Sequence, residues 1–235
     1  MKNTGVTRIL LFYILAITLS NMVRFDLFEL NNALEKIPVS MYLFVKAFLE
    51  GSGVFLGGIL GFYLLRKKKL ATMSLLGTSR KKSLWMMMVP VVLLSVYGLE
   101  NSFDMNPHLY GLVASSGTLL YCFMEEMGWR GYLQDELRHL SVWKKYMVVG
   151  LLWYLWHLPF VSDFSVSTNL FMLALLILGS WGIGQVAVAT RSISASTCFH
   201  FIINILFFNH FMKDVLEGTM KLFLAGIIII IWVLL

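Results

Sequence analysis

The chain has 235 residues, of which 58% are hydrophobic and only 14% charged, with a formal net charge of +6. A soluble domain carries roughly 45–50% apolar and about 25% charged residues. The composition therefore excludes a soluble fold, which could not hide this much apolar surface, and it excludes disorder.

What remains is a multi-pass protein of the cell membrane. About twenty apolar residues cross the hydrocarbon as a helix, and eight such segments follow one another. They run from about Thr7 to Val23, Val39 to Leu65, Ser83 to Leu99 and Leu109 to Gly131. The remaining four run from about Tyr146 to Val161, Leu170 to Thr190, Ala195 to Met212 and Leu222 to Leu235. The expected fold is an all-α bundle of about eight transmembrane helices. Residues 1–235 read as a single membrane domain, since the longest polar stretch between spans is about seventeen residues. The N-terminus, with Lys2 and Arg8 before an apolar run, resembles a signal peptide, but its exit lacks a small-x-small cleavage site. The segment is expected to persist as the first span.

Charge sets the expected orientation. Arg66, Lys67, Lys68, Lys69, Arg80, Lys81 and Lys82 share one loop that holds no acid. With that loop cytoplasmic, both termini are cytoplasmic too. That side then holds 13 of the 19 Lys and Arg, and the opposite side holds 4. Basic residues beside spans read as topology signals and contacts to anionic lipid, so no nucleic-acid partner is expected.

An ionisable side chain in hydrocarbon costs at least about 2.5–3.5 kcal/mol, which makes each one a functional candidate. Glu125-Glu126-Met127-Gly128-Trp129-Arg130 lies in the inner half of the fourth span. On a helix Glu126 and Arg130 are four apart and can pair, whereas Glu125 is rotated by about 100°. Arg130 can hold one carboxylate ionised and leave the other free, a setting that suits general-base work. The same cluster could also be an interfacial helix end. His157 lies in Trp153-Tyr154-Leu155-Trp156-His157-Leu158-Pro159-Phe160, where a lone histidine can equally be a buried, hydrogen-bonded core residue. His200 and Asn204, four apart, share a helix face. Two donors there could hold a developing oxyanion or join helices. Lys46 and Glu50, also four apart, read as a self-satisfied pair that lines a cavity. Asn209 and His210 fall near the outer end of the seventh span, and His108 and His139 fall in loops or interfacial segments. Cys122 and Cys198 lie in apolar runs, which excludes a disulfide scaffold; buried apolar thiols of this kind are inert packing.

Glu125-Glu126-x-x-x-Arg130, Trp-His157-x-Pro-Phe and His200-x-x-x-Asn204, in that order on three spans, resemble the CPBP intramembrane protease family. That family comprises the type II CAAX prenyl endopeptidases, the Abi proteins and bacteriocin-processing enzymes. The resemblance covers about residues 109–211. Trp153 stands where the family's second motif opens with Phe, and Gly128-Trp129-Arg130-Gly131-Tyr132 looks like the Abi branch. The resemblance implies peptide-bond hydrolysis within the membrane on a membrane-associated peptide. Glu125 and His157 would hold and activate water, Glu126 with Arg130 would orient the site, and His200 with Asn204 would stabilise the oxyanion. No cofactor is expected; were Zn²⁺ to take part, its ligands would be Glu125, His157 and His200, although His-Glu-x-x-His is absent. A non-catalytic bacteriocin-immunity protein is the alternative, and an ion-coupled transporter a further one, for which the repeats and broken helices are not found.

Overall fold

The structure, a computed structural model, describes residues 3–65, 72–161, 163, 165–208 and 215–235. The basic residues Arg66, Lys67, Lys68 and Lys69 lie outside the described residues, as do Asn209 and His210. The described chain is all-α. Extended backbone pairs among these residues only as a single bridge, between Ser74 and Ser192.

In chain order the helices are α1 (Asn3–Arg24), the short α2 (Leu30–Leu34), α3 (Val39–Leu60) and α4 (Arg80–Tyr97). Then come α5 (Pro107–Glu126), α6 (Gln134–Glu136), α7 (Val142–His157), α8 (Val166–Thr190), α9 (Ile193–Ile203) and α10 (Gly218–Leu234). Among the described residues three stretches are long and apolar enough to cross a membrane: Gly5–Arg24, Val39–Leu65 and Val166–Thr190. Ile193–Phe208 and Gly218–Leu234 are shorter apolar helices. The expected third, fourth and fifth spans are also helical, and the fourth and fifth carry Glu125, Glu126 and His157.

Local chemistry sets the helix ends. The Asn106 side chain accepts from the N–H groups of His108 and Leu109, and Pro107 supplies the first helical residue of α5. Ser192 caps α9 by accepting from Ala195. Gly98, at φ 77°, ends α4 in a conformation that favours glycine. Before α8, Asp163 accepts from the Ser165 N–H and from the hydroxyls of Ser165 and Thr168. These hydrogen bonds hold its carboxyl below the usual carboxylate range.

The α8–α9 corner is a two-residue turn with Arg191 in the left-handed region. The segment after α3 clamps that corner. Ser74 N–H donates to the Arg191 carbonyl at 2.9 Å, and Ile193 N–H donates back to Ser74 at 3.0 Å. Thr78 N–H donates to the Thr190 carbonyl at 3.0 Å. The start of α9, and so the depth of His200, is thereby fixed.

Two apolar cores flank α5. One gathers Leu94, Val113, Cys122, Cys198, Ile205 and Ile228 from α4, α5, α9, the turn after α9 and α10. The other gathers Phe12, Val54, Trp129, Trp153, Trp156 and Leu176 from α1, α3, α7, α8 and the turn after α5. Tyr121 and Phe199 pack against both. Helix α3 reaches α5 through glycine: a Cβ on Gly128 would meet Val54 at 2.5 Å, and one on Gly58 would meet the Gly128 Cα at 3.0 Å. That close approach sets the level of the second half of α5 within the bundle.

Candidate active site

The polar residues of α5, α7 and α9 gather at the seam between the two cores. Glu125, Glu126 and Arg130 are 0% exposed, and His157, His200 and Asn204 are buried. Charged groups this deep persist only when paired and hydrogen-bonded, and each has specific partners.

Glu126 is held by an arginine and a histidine. Arg130 donates from Nη1 to Glu126 Oε1 at 2.6 Å, one helical turn along the chain. His200 Nδ1 meets the same oxygen at 2.9 Å from α9. Glu125 has different partners. Its Oε2 accepts from the indole N–H of Trp129 and from that of Trp153, both at 3.1 Å. Glu125 Oε1 and Glu126 Oε2 have no hydrogen-bond partner among the described residues. The two adjacent carboxylates thus occupy unlike settings, one against charge-bearing groups and one against neutral donors.

Trp153 is the hub. Its indole donates to Glu125, and its carbonyl accepts from His157 Nδ1 at 2.8 Å. The rings of His157 and His200 lie edge-on to it, with centroids at 5.6 and 5.0 Å. The Arg130 guanidinium lies 4.7 Å over its face. Glu125, His157 and His200, from three helices, therefore edge one indole. With Nδ1 donating to the carbonyl, His157 Nε2 is left as an acceptor.

Asn204 Nδ2 donates to Cys122 Sγ at 3.3 Å and to the His200 carbonyl at 3.4 Å, both long contacts. Asn204 opens a π-helical turn (Asn204–Phe208), and a second π turn (Met127–Leu133) follows Glu126 directly. Single π turns inside α-helices recur at functional sites because they re-aim side chains.

Sequence reasoning missed several partners. Trp129 is four residues from Glu125, so the spacing that pairs Glu126 with Arg130 also pairs Glu125 with Trp129. Trp153 is likewise four residues before His157. Arg24 gave no such local signal. It ends α1, donates to the Trp156 carbonyl at 2.8 Å and lies 3.7 Å over the Trp156 ring. It is within electrostatic reach of Glu125, Glu50 and Tyr121. Lys46 donates to the Tyr42 hydroxyl at 3.2 Å, and Glu50 stands within reach of Lys46, Arg24 and Glu125. The α3 pair thus belongs to the wider electrostatic setting of the site. His108 and His139 are exposed, with ring nitrogens on the carbonyls of Ser95 and Glu136.

Zinc takes three or four donors at about 2.0–2.3 Å around one centre. Among the described residues no three His, Cys, Asp or Glu side chains form such a group. His200 Nδ1 faces Glu126, and His157 Nδ1 faces a carbonyl.

Residues 107–206, the stretch that carries every one of the six motif side chains, match the family described as type II CAAX prenyl endopeptidase Rce1-like. A CAAX prenyl protease 2 of Methanococcus maripaludis is 32% identical over 148 residues. That alignment covers 56% of this chain and 52% of the relative, so the chain matches about half the length of that protein. Residues 107–206 are thus similar to the Rce1-like type II CAAX prenyl endopeptidases, a family of peptidases. The similarity does not single out a branch of that family.

Proposed function

We propose that this protein is an intramembrane endopeptidase that hydrolyses a peptide bond of a membrane-associated substrate with water activated by Glu125. The observation that carries this reading is the division of labour between two adjacent buried carboxylates. Glu126 Oε1 is occupied by Arg130 and His200, whereas Glu125 Oε2 meets the neutral indoles of Trp129 and Trp153; each keeps its other oxygen without a hydrogen-bond partner among the described residues. In this reading a water donates to Glu125 Oε1 and to His157 Nε2. Its oxygen attacks the carbonyl carbon as Glu125 takes a proton. The oxyanion then receives hydrogen bonds from Asn204 Nδ2 and from His200 Nε2. His200 can donate from Nε2 only when both ring nitrogens carry protons, because Nδ1 is directed at Glu126. Collapse breaks the C–N bond, and the proton on Glu125 passes to the leaving amine.

A prenylated peptide is the substrate suggested by the name of the methanococcal relative. The test is turnover of a quenched peptide by purified protein in detergent, with and without a prenyl group and with and without chelator. Cleavage that survives chelation is expected. Absence of cleavage of any membrane-associated peptide would refute the reading. Loss on chelation with recovery on Zn²⁺ would instead make Glu125, His157 and His200 metal ligands.

The eight-span arrangement with both termini cytoplasmic belongs to the same proposal and rests on the 13-to-4 bias of Lys and Arg. Single cysteines placed at Arg80, Lys81 or Lys82 are expected to react with an impermeant maleimide only from the cytoplasmic side. Labelling only from outside would invert the topology.

A further inference from the structure

Behind the Glu126–Arg130 pair lies a group of polar atoms that the active-site chemistry does not use. Arg130 Nε and Nη2, Glu126 Oε2, Gln134 Oε1 and Ser180 Oγ are all buried and have no hydrogen-bond partner among the described residues. Leaving one such atom unsatisfied costs about 1–3 kcal/mol, so five in one neighbourhood call for a common partner.

They do share a neighbourhood. Gln134 lies one helical turn beyond Arg130, and its Nε2 donates to the Gly184 carbonyl at 3.4 Å. A Cβ on Gly184 would meet the Tyr146 ring, and Gln134 Oε1 at 2.9 Å. Five residues earlier on α8, a Cβ on Gly179 would meet Trp153 at 3.6 Å, and Trp153 carries Arg130 on its face. Ser180 is fully buried between these two contacts, on the face of Leu176 and Gly184. Tyr146 is within electrostatic reach of Arg130. Its hydroxyl donates to Gln185 Oε1 at 3.4 Å, and Gln185 is exposed. Lys145 Nζ lies 4.7 Å over the Tyr146 ring, so the exposed end carries charge.

A polar seam therefore leads from the buried carboxylates to the surface, bounded by α5, α6, α7 and α8. Buried polar atoms with two or more partners to share are where structural water resides. We propose that Arg130, Gln134, Ser180 and Tyr146 line a hydrated seam that delivers water to the Glu125–Glu126 pair from the Gln185 end. Hydrolysis consumes a water at each turnover, and a substrate lying across Glu125 and His157 would close their side of the site. The delivery role rests on the peptidase reading; the hydration of the seam does not.

The test compares Ser180→Val with Ser180→Thr, which have the same shape and differ by one hydroxyl. Two quantities are read on full-length protein in detergent. One is exchange of the Arg130 Nε–H with D₂O, followed by NMR on arginine-labelled protein, with the resonance assigned by its loss in Arg130→Lys. The other is kcat and KM on the quenched peptide. Ser180→Val is expected to slow exchange and lower kcat by about tenfold at unchanged KM, the worth of one lost hydrogen bond, while Ser180→Thr stays near wild type. Val and Thr behaving alike, both unchanged or both slowed, would overturn the seam. Should Ser180→Val fail to fold, Tyr146→Phe removes a single hydroxyl, and exchange unchanged from wild type in that variant would overturn it equally. If wild-type protein cleaves no peptide, the exchange measurement still decides whether the seam is hydrated.

Discussion

Glu125→Gln is expected to abolish cleavage while leaving the protein folded. The amide oxygen of glutamine can accept from the Trp129 and Trp153 indoles as Glu125 Oε2 does at 3.1 Å, so the hub around Trp153 persists. What disappears is the base. Loss of a single general base costs about 10²–10⁴ in rate. Uncatalysed proton transfer to bulk water offers no substitute, because the position is 0% exposed. Quenched-peptide turnover beside a thermal melt followed by tryptophan fluorescence checks both halves. A variant that cleaves at the wild-type rate would remove Glu125 from the chemistry. One that melts early would show that its charge supports the fold.

Glu126→Gln is expected to fail differently, by losing stability together with activity. Glu126 Oε1 receives both Arg130 at 2.6 Å and His200 at 2.9 Å. Neutralising it leaves the Arg130 charge uncompensated in a site with no exposure. Breaking a buried pair by removing one partner costs about 3–5 kcal/mol, whereas replacing both partners with apolar groups is often neutral. The melting temperature and membrane yield of Glu126→Gln should therefore fall well below those of Glu125→Gln. The double variant Glu126→Leu with Arg130→Met should recover stability without activity. A Glu126→Gln protein as stable as wild type would mean that Arg130 is compensated by another group.

The two expected outcomes differ because adjacent residues on one helix point to different helices. That geometry was only partly legible in the sequence. The i, i+4 relation of Glu126 to Arg130 could be read directly, since a helix brings such residues together whatever surrounds it. The matching relation of Glu125 to Trp129 was equally present but hidden, because an indole donor attracts less notice than a guanidinium. His200 and Asn204 read as two donors on one face. What the spacing did not reveal is that His200 Nδ1 also meets Glu126 Oε1 and that Asn204 Nδ2 contacts Cys122 Sγ. Arg24, Glu50 and Ser180 carried no signal that would set them beside Glu125 and Arg130.

The sequence by itself determined the helical segments and the order of the three motifs along them. Each depends on composition or on residues within a few positions of one another, where helix geometry does the placing. Only the tertiary structure decided which carboxylate meets which cation, that Trp153 binds Glu125 and His157 together, and that Arg130 Nε and Nη2 are buried without a hydrogen-bond partner among the described residues. Those relations depend on the sliding of one helix along another. That register is set by the Gly58–Gly128 approach and by the clamp of Ser74 and Thr78 on the α8–α9 corner. Apolar residues that face a neighbouring helix and those that face lipid look alike in the sequence, because a bilayer is as apolar as a protein core. No periodicity in the chain therefore encodes the level at which two helices meet.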